Sequence, residues 1–199
     1  ALDSTFFHAY NTCGVASMAD LFDEDIEFYH DRGGLSTSKK DLLQALQNRV
    51  EAFHQMGCRA SDHGLEHLYY HADAEQQADR LFTKLLSGTS LDAQEVFLFK
   101  SAVLVNLSRM YHAKGWVQQF HLGALRNNNT RRLRELGPDT GFDSMGEFPQ
   151  GRLMSQFFDS LDNTNQLAKT IVYNLNPADN ELFATMMGNF NDGTVPGKM

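Results

Sequence analysis

The stretch Trp116-Val-Gln-Gln-Phe-His-Leu-Gly-Ala-Leu-Arg-Asn-Asn-Asn-Thr130 decides the fold and carries the densest chemistry of the chain. Its beginning is typical of a β-strand, which Gly123 interrupts. His121 lies at the strand end, Arg126 follows five residues later, and three asparagines come directly after it. A titratable ring, a cation and several amides in this order are typical of a site for an anionic ligand rich in hydroxyl groups.

On both sides of this stretch, segments with helical periodicity alternate with short strand-like runs. Ser38 and Ser90 are expected to cap the first and third helices. Helices are predicted over 38–57, 74–87, 91–113 and 151–162, with a last one that begins at Asn176-Pro177 and ends at Gly188. Strands are predicted over 58–61, 116–122 and 170–175, the first of them followed by a turn at 62–64. A short helix is also predicted over 4–12, whereas 22–31 fit no single pattern.

Helical sequence separates each predicted strand from the next, and this order indicates an α/β fold with a parallel sheet. The centre of the third helix, 96–105, is apolar nearly all round and is expected to be buried on several sides. The segment 127–148 is rich in Gly, Asn, Asp and Arg and is too long for a plain connection, which suggests a functional loop.

Composition excludes several classes of protein. The chain has 199 residues, of which 42% are hydrophobic, and a formal net charge of −8, which argues against a nucleic-acid partner. No apolar run reaches the ~18–20 residues of a membrane span. Cys13 and Cys58 are read as reduced thiols of a cytoplasmic protein. No signal peptide is recognised, and both ends look like cuts within a longer chain.

Ligand sites in parallel α/β folds collect at the carboxyl ends of strands. This rule singles out Asp62, His121 with Arg126, and Asn174 or Asn176.

Alternation along the strand places His121 and Gln119 on one face, and Trp116 and Phe120 on the other. If the two aromatic residues pack on helices, His121 faces a barrel-like interior, with Gln119 one pleat below as a supporting partner.

Each candidate also has a purely structural interpretation. His121 would bond a backbone carbonyl, Arg126 would pair with Asp139 or Asp143, and Asp62 would cap a helix that begins at Leu65.

The amides and the remaining charges are equally open to two interpretations. Asn127 and Asn128 offer donors and acceptors to a substrate, or simply form a turn. The cluster Arg131-Arg132-Leu-Arg134 either steers an acidic substrate or is a solvated helix start, offset by Glu135 and Asp139.

Three histidines, at positions 63, 67 and 71, recur at a spacing of four residues. A partly exposed helix face is favoured over a metal site, because no carboxylate or cysteine completes a ligand set.

Four blocks of the sequence, in this order, are shared with one known family. They are Gly57-Cys-Arg-Ala-Ser-Asp-His63, the run Gly115–Thr130 that contains the opening stretch, Leu136-Gly-Pro-Asp-Thr-Gly-Phe-Asp-Ser144 and Lys169-Thr-Ile-Val-Tyr-Asn-Leu-Asn-Pro-Ala-Asp-Asn-Glu181, with Gly188-Asn-Phe and Pro196-Gly-Lys-Met199 beyond them. Over about residues 38–199 the chain therefore resembles bacterial uronate isomerase (glucuronate isomerase).

The resemblance implies a (β/α)8 barrel of the amidohydrolase superfamily. It also implies aldose–ketose isomerisation of hexuronates, D-glucuronate to D-fructuronate and D-galacturonate to D-tagaturonate, by proton transfer between C2 and C1. By the resemblance, Asp62, His121 and Arg126 fall on active-site positions of the family. Asp62 and His121 are assigned to catalysis, and Arg126, Asn127 and Asn128 to substrate binding.

Departures from the family pattern limit what this chain is expected to do. The family's His-x-His pair is absent, as are its late Asp and Arg residues and a Trp-rich segment that follows Gly-Lys-Met. We therefore expect residues 1–199 to be an internal segment of a single barrel domain, incomplete at both ends, with about three of the eight parallel strands and long helical connections. No metal is expected in this segment, and a zinc ion would belong to the full-length enzyme.

Two alternatives to an isomerase segment stay open. Uncovered strand edges predict a homo-oligomer, and the isolated chain would be an inactive half-barrel or a weak sugar-acid binder. A metal-dependent hydrolase of the same superfamily is the other alternative, against which the Leu-Gly-Ala-Leu-Arg-Asn-Asn-Asn block argues.

Overall fold

A three-stranded parallel sheet organises the protein, for which the computed structural model describes residues 38–199. Its strands are β1 (Ala60–Leu65), β2 (Val117–Leu122) and β5 (Thr170–Asn174), with β2 in the centre. A second, antiparallel pair joins β3 (Ala124–Leu125) to β4 (Ser144–Met145). The predicted α/β class, with three parallel strands of a partial (β/α)8 barrel, is confirmed.

Helices connect the parallel strands, as predicted. Helices α2 and α3 lie between β1 and β2 in the chain, and α4 and α5 lie between β2 and β5. The helices of residues 38–199 are α1 (Lys39–Gln55), α2 (Ala74–Leu86), α3 (Ala93–Ala113), α4 (Thr130–Leu136), α5 (Gln150–Asp162) and α6 (Asn180–Phe190), the last preceded by the 3₁₀ turn Pro177–Asp179.

The starts of α1 and α3 are fixed by side-chain caps. Ser38 Oγ accepts from the backbone N–H of Asp41 at 3.2 Å, which confirms the predicted start of α1. The predicted cap of α3 at Ser90 is wrong, because Asp92 caps this helix. The Asp92 carboxylate accepts from the Glu95 N–H at 2.9 Å, and the Glu95 carboxylate accepts from the Asp92 N–H at 3.1 Å. This reciprocal capping box satisfies two otherwise unpaired donors, which a serine two residues earlier cannot do.

Strand β1 differs most from the prediction. The strand expected over 58–61 is present but runs from Ala60 to Leu65. The turn expected at 62–64 is wrong, because parallel pairing with β2 continues from Ala60 beside Val117 to Leu65 beside Leu122. The helix that the structural interpretation of Asp62 required does not form, and the three regularly spaced histidines share no helix face. At the other end of the chain, Gly188 lies inside α6, which continues to Phe190.

The two faces of the sheet have opposite character. Phe120 and Leu122 of β2 are fully buried and pack in a core with α3, α5 and α6. On the same side, the Phe120 ring meets the Phe157 ring edge to face, with centroids 5.7 Å apart. The other face is more exposed and carries Asp62 and His121. The predicted assignment of the β2 faces is confirmed, as is burial of the central part of α3.

His63 lies on the buried face of β1 and is held by aromatic neighbours. Its ring stacks on Phe120 with centroids 5.7 Å apart, and its Nε2 lies 3.2 Å from the Tyr111 hydroxyl. Burial lowers the pKa of His63 to about 4 from its ordinary value of 6.5, because the charged ring would lose its hydration.

Stability is expected to fall as the pH is lowered from about 6.5 to about 4, since unfolded His63 takes up a proton that the folded state excludes. The free energy of unfolding has this contribution in full above pH 6.5 and loses about 3 kcal/mol of it by pH 4. Urea unfolding of the full-length protein and of its His63→Gln variant at several pH values isolates it. The variant should be less pH-sensitive, and an unchanged pH slope would show that His63 does not couple proton binding to folding.

Some predictions concern residues outside the described range. These are the short helix over 4–12, the ambiguous segment 22–31 and the role of Cys13. Within residues 38–199, every helix is too short or too polar to span a bilayer. In the same part of the chain, Cys58 is a free thiol.

Candidate active site

Asp62 and His121 form a hydrogen-bonded pair on the open face of the sheet. Asp62 Oδ1 lies 2.8 Å from His121 Nδ1, and the two side chains are 56% and 46% exposed. Parallel pairing places Asp62 beside Gln119 and Gly64 beside His121. The two partners are therefore diagonal neighbours on adjacent strands, and two residues that are 59 positions apart in sequence are brought into contact.

The chemistry of the carboxylate assigns the proton on the His121 ring. An ionised carboxylate only accepts hydrogen bonds, so Nδ1 carries the hydrogen and donates it to Asp62. In the neutral ring Nε2 is then an acceptor, as a general base requires. The structural interpretation of His121, a bond to a backbone carbonyl, is wrong because its Nδ1 partner is this carboxylate.

Tyr173 completes a row of three side chains across the three strands. Its ring stacks on the His121 ring, with centroids 4.1 Å apart and planes within 5° of parallel. Its hydroxyl donates to Gln119 Oε1 at 2.8 Å. Gln119 therefore supports Tyr173, not His121 as the sequence suggested. Sequence reasoning missed Tyr173, since its place beside His121 depends on the β2–β5 register.

Arg126 is held by two carboxylates. Its Nη1 lies 3.3 Å from Asp139 Oδ1 and 3.1 Å from Asp143 Oδ2, so the structural interpretation of this residue is realised. Its Nη2 lies above Gly64, only 3.2 Å from the position that a Cβ there would occupy. The guanidinium thus lies next to the strand position that pairs with His121. With two carboxylates around one cation, Arg126 does not by itself give this face of the sheet a positive charge.

Asn127 and Asn128 build the loop that follows Arg126. Asn127 has a left-handed φ of 56°, and its N–H donates to Asp143 Oδ1 at 2.8 Å. Asn128 Nδ2 donates to the Leu125 carbonyl at 2.7 Å and to Ser144 Oγ at 3.1 Å. Both residues act in a turn, one of the two roles expected of them. Their assignment to substrate binding stays a prediction.

Other charged and polar candidates serve local structure. Arg131 and Arg132 each pair with Glu135 at 3.0 Å, as in a solvated helix start. Asn174 Nδ2 donates to the Asn176 carbonyl at 2.6 Å, and Asn176 caps the turn that leads into α6.

Asp62 and His121 supply two donors, and residues 38–199 contain no group of three His, Cys, Asp or Glu arranged to hold a metal ion.

The fold and the site define the class of protein as part of a parallel α/β barrel, with a carboxylate–histidine pair on the open face of its strands. The sequence model of the glucuronate isomerase family matches residues 23–199, and the chain belongs to this family.

Relatives and solved structures agree with this membership. The chain is 54% identical over 159 residues to the uronate isomerase of Flavobacterium johnsoniae, covering 80% of this chain and 34% of the relative. It is 52% identical over 159 residues to that of Cellvibrio japonicus, with the same coverage. The crystal structure of uronate isomerase from Thermotoga maritima matches with a TM-score of 0.74 and 27% identity, over 92% of this chain and 39% of that one. The chain thus spans about a third of the length of the curated relatives it matches.

Proposed function

We propose that this chain supplies one wall of the active site of a hexuronate isomerase. The full-length protein would interconvert D-glucuronate with D-fructuronate, and D-galacturonate with D-tagaturonate. Membership in the glucuronate isomerase family supports the reaction class. The single observation that carries the assignment of this wall is the 2.8 Å contact between Asp62 and His121 on the exposed face of the sheet.

The reaction moves one hydrogen between neighbouring carbons. A base removes the proton from C2 of the open-chain aldose while the C1 carbonyl oxygen is protonated, which gives an enediol. The C2 hydroxyl then loses its proton, C1 gains one, and the ketose forms without any net oxidation. Such a reaction requires a base, a donor at the developing oxyanion and a fixed substrate.

His121 and Asp62 fit the acid–base part of this scheme. His121 Nε2 would accept a proton from the substrate or shuttle one between its oxygens. Asp62 would hold the ring in one tautomer through Nδ1 and would stabilise the imidazolium when it forms. The exposure of both side chains supports access of a ligand from the open face.

Arg126 would contribute the anion contact of this wall. Its Nη2 lies above Gly64, beside His121, while Nη1 is engaged by Asp139 and Asp143. These carboxylates fix the direction of the guanidinium, so that Nη2 is the nitrogen available to meet the substrate carboxylate or the enediolate oxygen.

Replacing Arg126 with alanine in the full-length protein is expected to lower kcat/KM for D-glucuronate about 10- to 100-fold, the effect of losing one charge-assisted hydrogen bond. Initial rates over a range of D-glucuronate concentrations measure it. Arg131→Ala is the matched control, because Arg131 is 59% exposed and paired with Glu135 on α4. Equal kcat/KM values in wild type and Arg126→Ala would refute the anion contact.

A second proposal is that the isolated 199-residue chain is a structural scaffold without isomerase activity. The observation that favours it is the open site, with Asp62 and His121 about half exposed on one sheet face. The purified 199-residue chain would then form no ketose under conditions in which the full-length protein does. Turnover by the isolated chain at the full-length rate would rule the scaffold out.

A further inference from the structure

Tyr173 lies against His121 in a manner that ordinary burial does not explain. The tyrosine is 40% exposed, and its ring covers one face of the imidazole at 4.1 Å, nearly parallel. The hydroxyl is directed along the same open face, where it donates to Gln119 Oε1 at 2.8 Å. An exposed aromatic ring that is fixed at both its face and its hydroxyl is restrained in position.

The contacts around His121 restrict two different motions of its ring. The Asp62 carboxylate holds Nδ1 at 2.8 Å and therefore opposes a flip of the ring. The Tyr173 ring lies flat against the imidazole and opposes tilting toward β5. Gln119 in turn fixes Tyr173. Together these contacts fix the direction in which Nε2 points. Preorganisation of this kind raises the rate of the chemical step more than it raises affinity.

Resting on the proposed function, we infer that Tyr173 is a positioning residue for His121 and that Gln119 secures it in that role. Tyr173 acts through His121 and need not touch the substrate. The stacking carries most of this effect, and the hydroxyl bond a smaller part.

Three variants of the full-length protein separate these contributions. Tyr173→Leu removes the stack and should lower kcat about 3- to 10-fold with little change in KM, the size expected for one aromatic pair. Tyr173→Phe keeps the stack and should restore most of kcat. Ile171→Ala is the matched control, because Ile171 lies two residues earlier on β5 with similar exposure, 43% against 40%.

A double substitution shows whether Tyr173 acts through His121. Once His121 is replaced by glutamine, adding Tyr173→Leu should have no further effect on the residual rate, since contacting residues that act as a unit are non-additive. A further loss equal to that of Tyr173→Leu alone would overturn the inference. So would a wild-type kcat in Tyr173→Leu.

A spectroscopic measurement separates failure of this inference from failure of the proposed function. In full-length protein with labelled histidine, the ring current of Tyr173 should shift the carbon-bound ring protons of His121 upfield. Tyr173→Leu should abolish this shift and Tyr173→Phe should retain it, whatever the protein catalyses. A normal ring-current shift with no isomerase activity would refute the proposed function alone. Identical His121 resonances in wild type and Tyr173→Leu would refute the stacking, and with it the positioning role, even if hexuronates are isomerised.

Discussion

Replacing His121 with glutamine in the full-length protein is expected to lower kcat for D-glucuronate by about 10²- to 10⁴-fold, the usual contribution of a positioned acid–base group. Glutamine approximates the size and polarity of the ring and can still meet Asp62, but its amide cannot take up a proton near neutral pH. KM should change little. Ketose formation followed over time gives kcat, with single-turnover conditions as a check that the chemical step is the one affected.

His112→Gln is the matched control for this substitution. His112 lies in the last turn of α3, away from the open sheet face, and its replacement should leave kcat unchanged. A His121→Gln protein with wild-type kcat would remove His121 from the acid–base role. An equal loss in both variants would point to general damage from replacing a histidine.

Replacing Phe120 with alanine is expected to destabilise the protein by about 3–5 kcal/mol, because a fully buried ring is lost and a cavity remains. The ring packs against Phe157 and Phe158 on α5 and stacks with His63 on β1. It therefore joins the central strand to a helix and to the neighbouring strand. Equilibrium urea unfolding of the full-length protein measures the free energy of unfolding, provided that the transition is two-state.

Phe53→Ala serves as the control for the loss of Phe120. Phe53 is 45% exposed on α1, and its truncation should change stability by no more than about 0.5 kcal/mol. Equal effects of the two substitutions would mean that β2 is not the centre of the core. Since Phe120 directly precedes His121, its loss should also disturb the strand that carries the Asp62–His121 pair.

The sequence was a good guide where periodicity alone determines the outcome. Alternation along β2 predicted which side chains face the core and placed His121 on the opposite face. The strand-end rule also identified Asp62 as a candidate, although Asp62 does not lie at the end of its strand. Asp62 lies inside β1, because pairing with β2 extends that strand to Leu65.

Features that depend on register or on competing partners were beyond sequence reasoning. Tyr173 meets His121 only because β5 pairs with β2 in one particular register, which no local pattern encodes. Asp92, not Ser90, caps α3, because the Glu95 carboxylate also accepts a hydrogen bond from the Asp92 N–H. The sequence left Arg126 either to bind a substrate or to pair with Asp139 or Asp143, and in the fold its guanidinium pairs with both aspartates.

Several expectations remain predictions. They are that the full-length protein forms a single barrel domain, that it binds a zinc ion outside this chain, and that it forms homo-oligomers through strand edges. The open edges of β1 and β5 in the described sheet are consistent with further strands or a second copy at either side.

Proton transfer at C2 of a hexuronate is tested most directly by following D-glucuronate with the full-length protein in D₂O by NMR. We predict that D-fructuronate appears with deuterium at C1, and that its formation slows at least about 100-fold in the His121→Gln variant. Absence of ketose with the wild-type protein would contradict this account. So would ketose that retains all of the original C2 hydrogen at C1, or that forms equally fast without His121.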